Sequence, residues 1–131
     1  MDRRVINPWE WSVAYGFQQA IEVTGGRRTV YCAGQTSVDK DGHPQHEGDM
    51  TAQAHLSLDN LETVLAESGM TPANIVRLNV YTTDVDAFFG ATESLGERMG
   101  RDGYVVSMTL LGVQRLAFPE LLLELEATAV A

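Results

Sequence analysis

Cysteine and lysine each occur once in this 131-residue chain, at Cys32 and Lys40. A single cysteine excludes an intramolecular disulfide, and a reducing cytoplasm fits that usage. The arginines are scattered apart from the pairs Arg3-Arg4 and Arg27-Arg28, and the formal net charge is -9. A sequence-independent grip on a phosphate backbone needs clustered Lys and Arg, so nucleic acid is not an expected partner. No apolar run approaches the length of a membrane span, and none follows Met1-Asp2-Arg3-Arg4, so no membrane association is expected. The chain has no Gly-x-Ser-x-Gly elbow, no Walker loop and no Gly-x-Gly-x-x-Gly fingerprint. His43, His46 and His55 lack a cysteine cluster or a carboxylate pattern at ligand spacing, so they read as surface histidines rather than metal ligands.

The length suits one domain covering residues 1–131, able to bury about two-thirds of its unfolded surface without a disulfide or metal staple. Residues 1–15 carry Trp9, Trp11 and Tyr15 without a period and read as an irregular lead-in. Gln18–Thr24 and Thr29–Ala33 read as strands joined through Gly25-Gly26, a hairpin signal. A helix is expected from about Met50 to Ser68. Its stripe is Ala54, Leu58, Leu61 and Leu65, with Asp49 as its cap and Gly69 as its stop. Thr71-Pro72 signals a short capped turn. Ile75–Thr82 is a strand, Asp84 caps a second helix over about Val85–Met99, and Phe88, Thr92, Leu95 and Met99 form its stripe. Gly100-Arg101-Asp102-Gly103 breaks the chain before a strand over Tyr104–Val113. The tail, residues 121–130, reads as a last strand, with 121, 123, 125, 127 and 129 all apolar. The order β-β-(β)-α-β-α-β-β, with one apolar stripe per helix, predicts a two-layer α+β domain with both helices on one sheet face. The second face is too apolar to be fully wet, which points to an oligomer.

The tail strand carries Glu124 and Glu126 on one face. On spacing alone the plainer reading is a polar face turned to water; the other is acid placed for chemistry. Cys32, late in an apolar strand, reads as a buried inert thiol. Ala33-Gly34-Gln35 ends that strand. Gly34 permits close approach to the backbone, Gln35 offers a donor and an acceptor, and Glu124 can act as acid or base or hold a water.

Several segments together resemble the RidA/YjgF family, also known as endoribonuclease L-PSP. They are Tyr31-Cys32-Ala33-Gly34-Gln35; Gln53, Asn60-Leu61 and Leu65 before Gly69; Val80-Tyr81-Thr82-Thr83-Asp84 followed by Phe88; and Glu124-Leu125-Glu126-Ala127. The resemblance covers nearly the whole chain from about residue 15. It implies a chorismate-mutase-like α+β fold: two helices on one face of a mostly antiparallel six-stranded sheet, in a homotrimer with a central barrel and clefts between subunits. It also implies hydrolysis, by deamination, of reactive imines or enamines without metal or organic cofactor. The implied catalytic residues are Glu124 and Gln35, and the substrate-binding residues Phe17, Ala33, Gly34, Thr92 and Met108. The family arginine that grips a substrate carboxylate aligns with Met108, or with Ser107 if the register slips by one. A family asparagine aligns with Thr92 and a tyrosine with Leu95. The expected cleft is therefore more apolar than in the deaminases. Turnover of an uncharged or differently anchored metabolite is expected, with a non-catalytic ligand-binding trimer as the alternative; the net charge of -9 opposes a ribonuclease.

Overall fold

A computed structural model describes all residues from 1 to 131. The elements are β1 (Asp2–Ile6), α1 (Trp11–Ala14), β2 (Ala20–Thr24), β3 (Thr29–Tyr31), α2 (Met50–Glu67), β4 (Ile75–Thr82), α3 (Val85–Asp102), β5 (Ser107–Gly112) and β6 (Leu123–Val130), with a 3-10 turn at Pro72–Asn74 before β4. Four strands form a sheet in the order β3-β6-β4-β5, and β1-β2 form a separate ladder. The β4–β5 pair is parallel, whereas β6 runs antiparallel to both its neighbours. A single bridge, Gln18 to Ser107, joins the two ladders, with the Gln18 N–H donating to Val106 O at 2.8 Å. The α+β class is as expected; the six strands fall into two ladders rather than one sheet, and the bracketed third strand of the expected order does not form, β1 making up the number.

The two long helices, α2 and α3, begin where capping chemistry says they should. Asp49 accepts from the Ala52 N–H and Asp84 from the Ala87 N–H, each at 3.0 Å. Gly69 takes φ +74° after α2, a conformation that costs a side-chain-free residue nothing. The apolar stripe of α2, Ala54, Leu58, Leu61 and Leu65, is fully buried against Leu78, Val80, Leu123, Leu125, Ala127 and Ala129 of the sheet. The buried stripe of α3 is Phe88, Ala91 and Leu95; Thr92 is exposed, and Ala91 is buried in its stead. No helix is long and apolar enough to cross a membrane.

Three local expectations need correction. Residues 2–6 form a strand rather than an irregular lead-in, pairing Asp2–Ile6 with Ala20–Thr24. Asp2-Arg3-Arg4-Val5-Ile6 has no readable period, so its extended form comes from its partner. The Arg3 guanidinium fastens it by donating to the carbonyls of Ala73, Ile75 and Val105. The Gly25-Gly26 turn does not close a hairpin, because β2 pairs with β1 and β3 with β6. Beyond the turn, the Arg27 and Arg28 N–H groups both donate to Ala131 O at 2.9 Å, so the chain is captured by the C-terminus. Finally, α3 runs through Gly100 to Asp102 and stops at Gly103, φ +87°. Arg98 pairs with Asp102 one turn on, at 3.4 Å, which supports the last turn across the glycine.

The alternation of β6 is the one expected. Leu123, Leu125, Ala127 and Ala129 face the helices, while Glu124, Glu126 and Thr128 face away. Register places Tyr81 opposite Glu124, Asn79 opposite Glu126 and Arg77 opposite Thr128, so these β4 side chains share the outer face. Tyr31 and Leu111 are exposed at 81% and 50%, leaving apolar surface on that side of the sheet.

Candidate functional site

After β3 the chain stays extended beside β6. The Cys32 N–H donates to Ala127 O at 2.9 Å, and Gln35 and Leu125 exchange backbone hydrogen bonds at 2.7 and 2.9 Å. Gly34 therefore lies against Glu124. A Cβ on Gly34 would stand 1.7 Å from Glu124 Oε1, 2.6 Å from Cδ and 2.9 Å from Cγ. The Glu124 side chain thus lies across the Gly34 backbone in space that any other residue would fill. The Gln35 amide folds back toward Ala33 O at 3.4 Å. Ala33, Gly34, Gln35 and Glu124 form one group, and no group of the chain donates a hydrogen bond to the Glu124 carboxylate.

Glu126 is different. Asn79 Nδ2 and Tyr81 Oη donate to Glu126 Oε1 at 3.1 and 2.9 Å. Those two bonds, Asn79 first, hold the Glu126 carboxyl below its ordinary pKa, and the bond to Glu126 pushes the Tyr81 phenol up. The two tail glutamates are therefore physically distinct: Glu126 accepts two side-chain hydrogen bonds, and Glu124 accepts none. Alternation alone puts Asn79 and Tyr81 on one face of β4, but their partner depends on strand register.

Phe17, Thr92 and Met108 come together elsewhere. They line a cavity of about 780 Å³ between α3, the Trp11–Gln18 segment and the β5 side of the sheet. Met108 pairs with Leu78 and points with it toward the helices, so Met108 and Glu124 stand on opposite faces of the same sheet. Ser107 does face the Glu124 side, but its hydroxyl donates to Val76 O at 2.8 Å. No arginine lines the cavity. Arg77, on the Glu124 face, donates to Thr109 Oγ1 and sits four residues, roughly 13 Å, along β4 from the position opposite Glu124. Arg115 donates to Leu116 O at 3.2 Å.

The histidines do not gather. His43 lies beside Asp39 at 3.6 Å in the 39–48 loop, and no three His, Cys, Asp or Glu residues are placed to hold a metal ion. His55 is half-buried between α2 and α3, rather than on an open surface. Its Nε2 contacts Ser94 Oγ at 2.8 Å and its Nδ1 contacts Arg98 Nη1 at 3.3 Å. Guanidinium only donates, so Nδ1 accepts and Nε2 carries the proton toward Ser94, a tautomer that cannot serve Ser94 as a base. Burial raises the Cys32 thiol, which opposes thiolate chemistry there. A buried polar clasp escaped the sequence reading. Gln53 Nε2 donates to His46 O at 3.1 Å and to Glu120 O at 2.9 Å, while its Oε1 accepts from the Leu122 N–H at 2.8 Å.

A two-layer α+β chain with an acid laid over a strand-end glycine and an apolar cavity behind the sheet has the fold of the Rid proteins. The profile of the endoribonuclease L-PSP family matches residues 10–131, and the chain belongs to that family, the RidA/YjgF proteins. The crystal structure of YyfB, a Rid-family protein of Yersinia pestis, superposes with a TM-score of 0.88 at 37% identity over 100% of both chains. E. coli TdcF with bound serine superposes with a TM-score of 0.71 at 26% identity, covering 88% of this chain and 87% of its own. Protein DfrA of Myxococcus xanthus is 33% identical over 97 residues, 73% of each chain.

Proposed function

We propose that the protein hydrolyses a reactive imine or enamine to a carbonyl compound and ammonia, in clefts completed by neighbouring copies of a homotrimer. The observation that carries this reading is the Glu124 carboxylate lying on Gly34 with no hydrogen-bond donor of its own. Such a carboxylate is free to take a proton from water. In the proposed step, water adds to the imine carbon while Glu124 accepts its proton. Glu124 returns that proton to nitrogen, giving a carbinolamine. The hydroxyl proton then passes by way of Glu124 to the same nitrogen as the C–N bond breaks, so ammonia leaves and the water oxygen stays as the carbonyl oxygen; an enamine first tautomerises to its imine. Gln35 supplies an amide beside that water, and the Ala33-Gly34 backbone lets the substrate approach closely.

The two faces of the sheet fit the same reading. Glu124 and the Phe17–Thr92–Met108 cavity lie on opposite faces of one sheet, so one copy alone cannot present both to one molecule. The exposed Tyr31 and Leu111 give the Glu124 face apolar surface that a neighbour can cover. The serine bound to TdcF is consistent with a small polar metabolite as ligand in a relative.

The test is turnover of enzymatically generated imines, with and without a carboxylate, followed by semicarbazone formation. Glu124→Gln should lower kcat by about a hundredfold or more, within the range general acid–base catalysis supplies. Equal rates for wild type and variant on every imine would refute the assignment. A second reading, ligand binding without turnover, is favoured by the absence of any cation around the cavity. It predicts thermal stabilisation by a metabolite that the protein leaves unchanged.

A further inference from the structure

We infer that the cavity beside Met108 takes a neutral or amine-bearing molecule with an aromatic or branched aliphatic body, and discriminates against carboxylates. Its volume of about 780 Å³ lies within the usual range of ligand pockets, roughly 300–1,000 Å³. Eighteen of its 24 lining residues are hydrophobic, and the only charged one is Glu93. One wall is aromatic. Trp11 meets Phe17 edge-on at 5.8 Å between centroids and Tyr15 at 6.3 Å, so flat apolar groups find ring faces and edges to pack on.

Charge decides the rest. A carboxylate entering this cavity would lose water and gain no cation in return. It would also meet the like charge of Glu93. The arginines of α3 cannot rescue it, because Arg98 and Arg101 line the separate groove between α2 and α3. There Arg98 is held by Asp59 at 2.6 Å, Glu62 at 3.2 Å and Asp102 at 3.4 Å. An ammonium, in contrast, is attracted by Glu93 and by the faces of the aromatic wall. An amide loses only neutral dipoles. As a ligand class this stands on the cavity alone. As a substrate class, an apolar imine or enamine bearing no carboxylate, it rests on the hydrolase reading above.

Three probes that share one body isolate the head group: 3-phenylpropylamine, 3-phenylpropanamide and 3-phenylpropanoate. They are titrated calorimetrically into the assembled protein. The amine and amide should bind, and the propanoate should bind at least ~10-fold more weakly, the fold-change expected when a charged group is buried unpaired. Glu93→Gln, a change at an exposed helix position, should narrow the advantage of amine over amide and improve the propanoate. Propanoate affinity equal to or above that of the amide would overturn the inference. So would failure of all three to bind, the result expected if a segment of a second copy fills the cavity. Turnover separates the two readings. Selective binding with no hydrolysis of any imine leaves the cavity assignment standing and removes the hydrolase. Faster hydrolysis of carboxylate-bearing imines than of their apolar counterparts does the reverse.

Discussion

Replacing Gly34 with alanine tests the closest contact of the candidate site. The φ of Gly34 is not among the positive values found at six other glycines, so alanine is allowed there by the backbone. In an otherwise permissive setting this change stabilises a protein by ~0.4–1 kcal/mol, through the unfolded chain. Here the new Cβ would stand 1.7 Å from Glu124 Oε1 and 2.9 Å from Cγ. The clash reaches back to Cγ, so turning the carboxylate tip is not enough and Glu124 must leave its rotamer. An off-rotamer side chain costs ~0.5–1.5 kcal/mol. Gly34→Ala should therefore be neutral to mildly destabilising in the wild type but stabilising in a Glu124→Ala background. The double-mutant cycle should give a coupling of about 1 kcal/mol. Urea unfolding of the four proteins at constant m-value measures it. On the proposed mechanism, Gly34→Ala should also lose turnover as Glu124→Gln does, because the same carboxylate has moved. Stabilities that add within about 0.3 kcal/mol would show that the two side chains do not contend for one space and would refute the geometry.

Two further outcomes follow from the outer sheet face and the buried clasp. Glu126→Gln should return the Tyr81 phenol toward its ordinary pKa, seen as one tyrosine ionising earlier in a phenolate absorbance titration, while Tyr104, raised chiefly by burial and by Glu62, stays late. The folded-state pKa of Glu126 is depressed, so its stabilising contribution is present above the unfolded value and is lost as pH falls through the lowered one. The acid-side slope of stability should be shallower in Glu126→Gln, and an unchanged slope and phenol titration would count against the Asn79–Tyr81–Glu126 network. Gln53→Leu should cost about 2–4 kcal/mol in urea unfolding, because it leaves two backbone carbonyls and one N–H without their partner in a fully buried setting. A loss below about 1 kcal/mol would mean that water reaches those groups.

Much of the architecture is local and therefore legible in the chain. Asp49 and Asp84 act within three residues, the stripe Ala54–Leu58–Leu61–Leu65 follows from helical spacing, and alternation in the tail separates Leu123, Leu125 and Ala127 from Glu124 and Glu126. These features depend on neighbours one turn or two residues away. The N-terminal strand was not legible, since Asp2–Ile6 is extended only because β2 lies beside it and Arg3 reaches three carbonyls in distant segments. The hairpin at Gly25-Gly26 misled for the same reason: its turn chemistry is real, but the strand beyond it finds β6 instead.

By itself, the sequence determined the α+β class, the helix caps, the stop of α2, the buried faces of α2 and the tail strand, the family, and the residue types at Gly34, Gln35, Glu124 and Met108. Only the tertiary structure decided which of them meet. Strand register gives Glu126 to Asn79 and Tyr81 and leaves Glu124 over Gly34, though the two glutamates are equivalent in the sequence pattern. Side-chain alternation in β5 turns Met108 away from Glu124 and into an apolar cavity. Both outcomes are set by pairings between segments far apart along the chain, which no local spacing encodes.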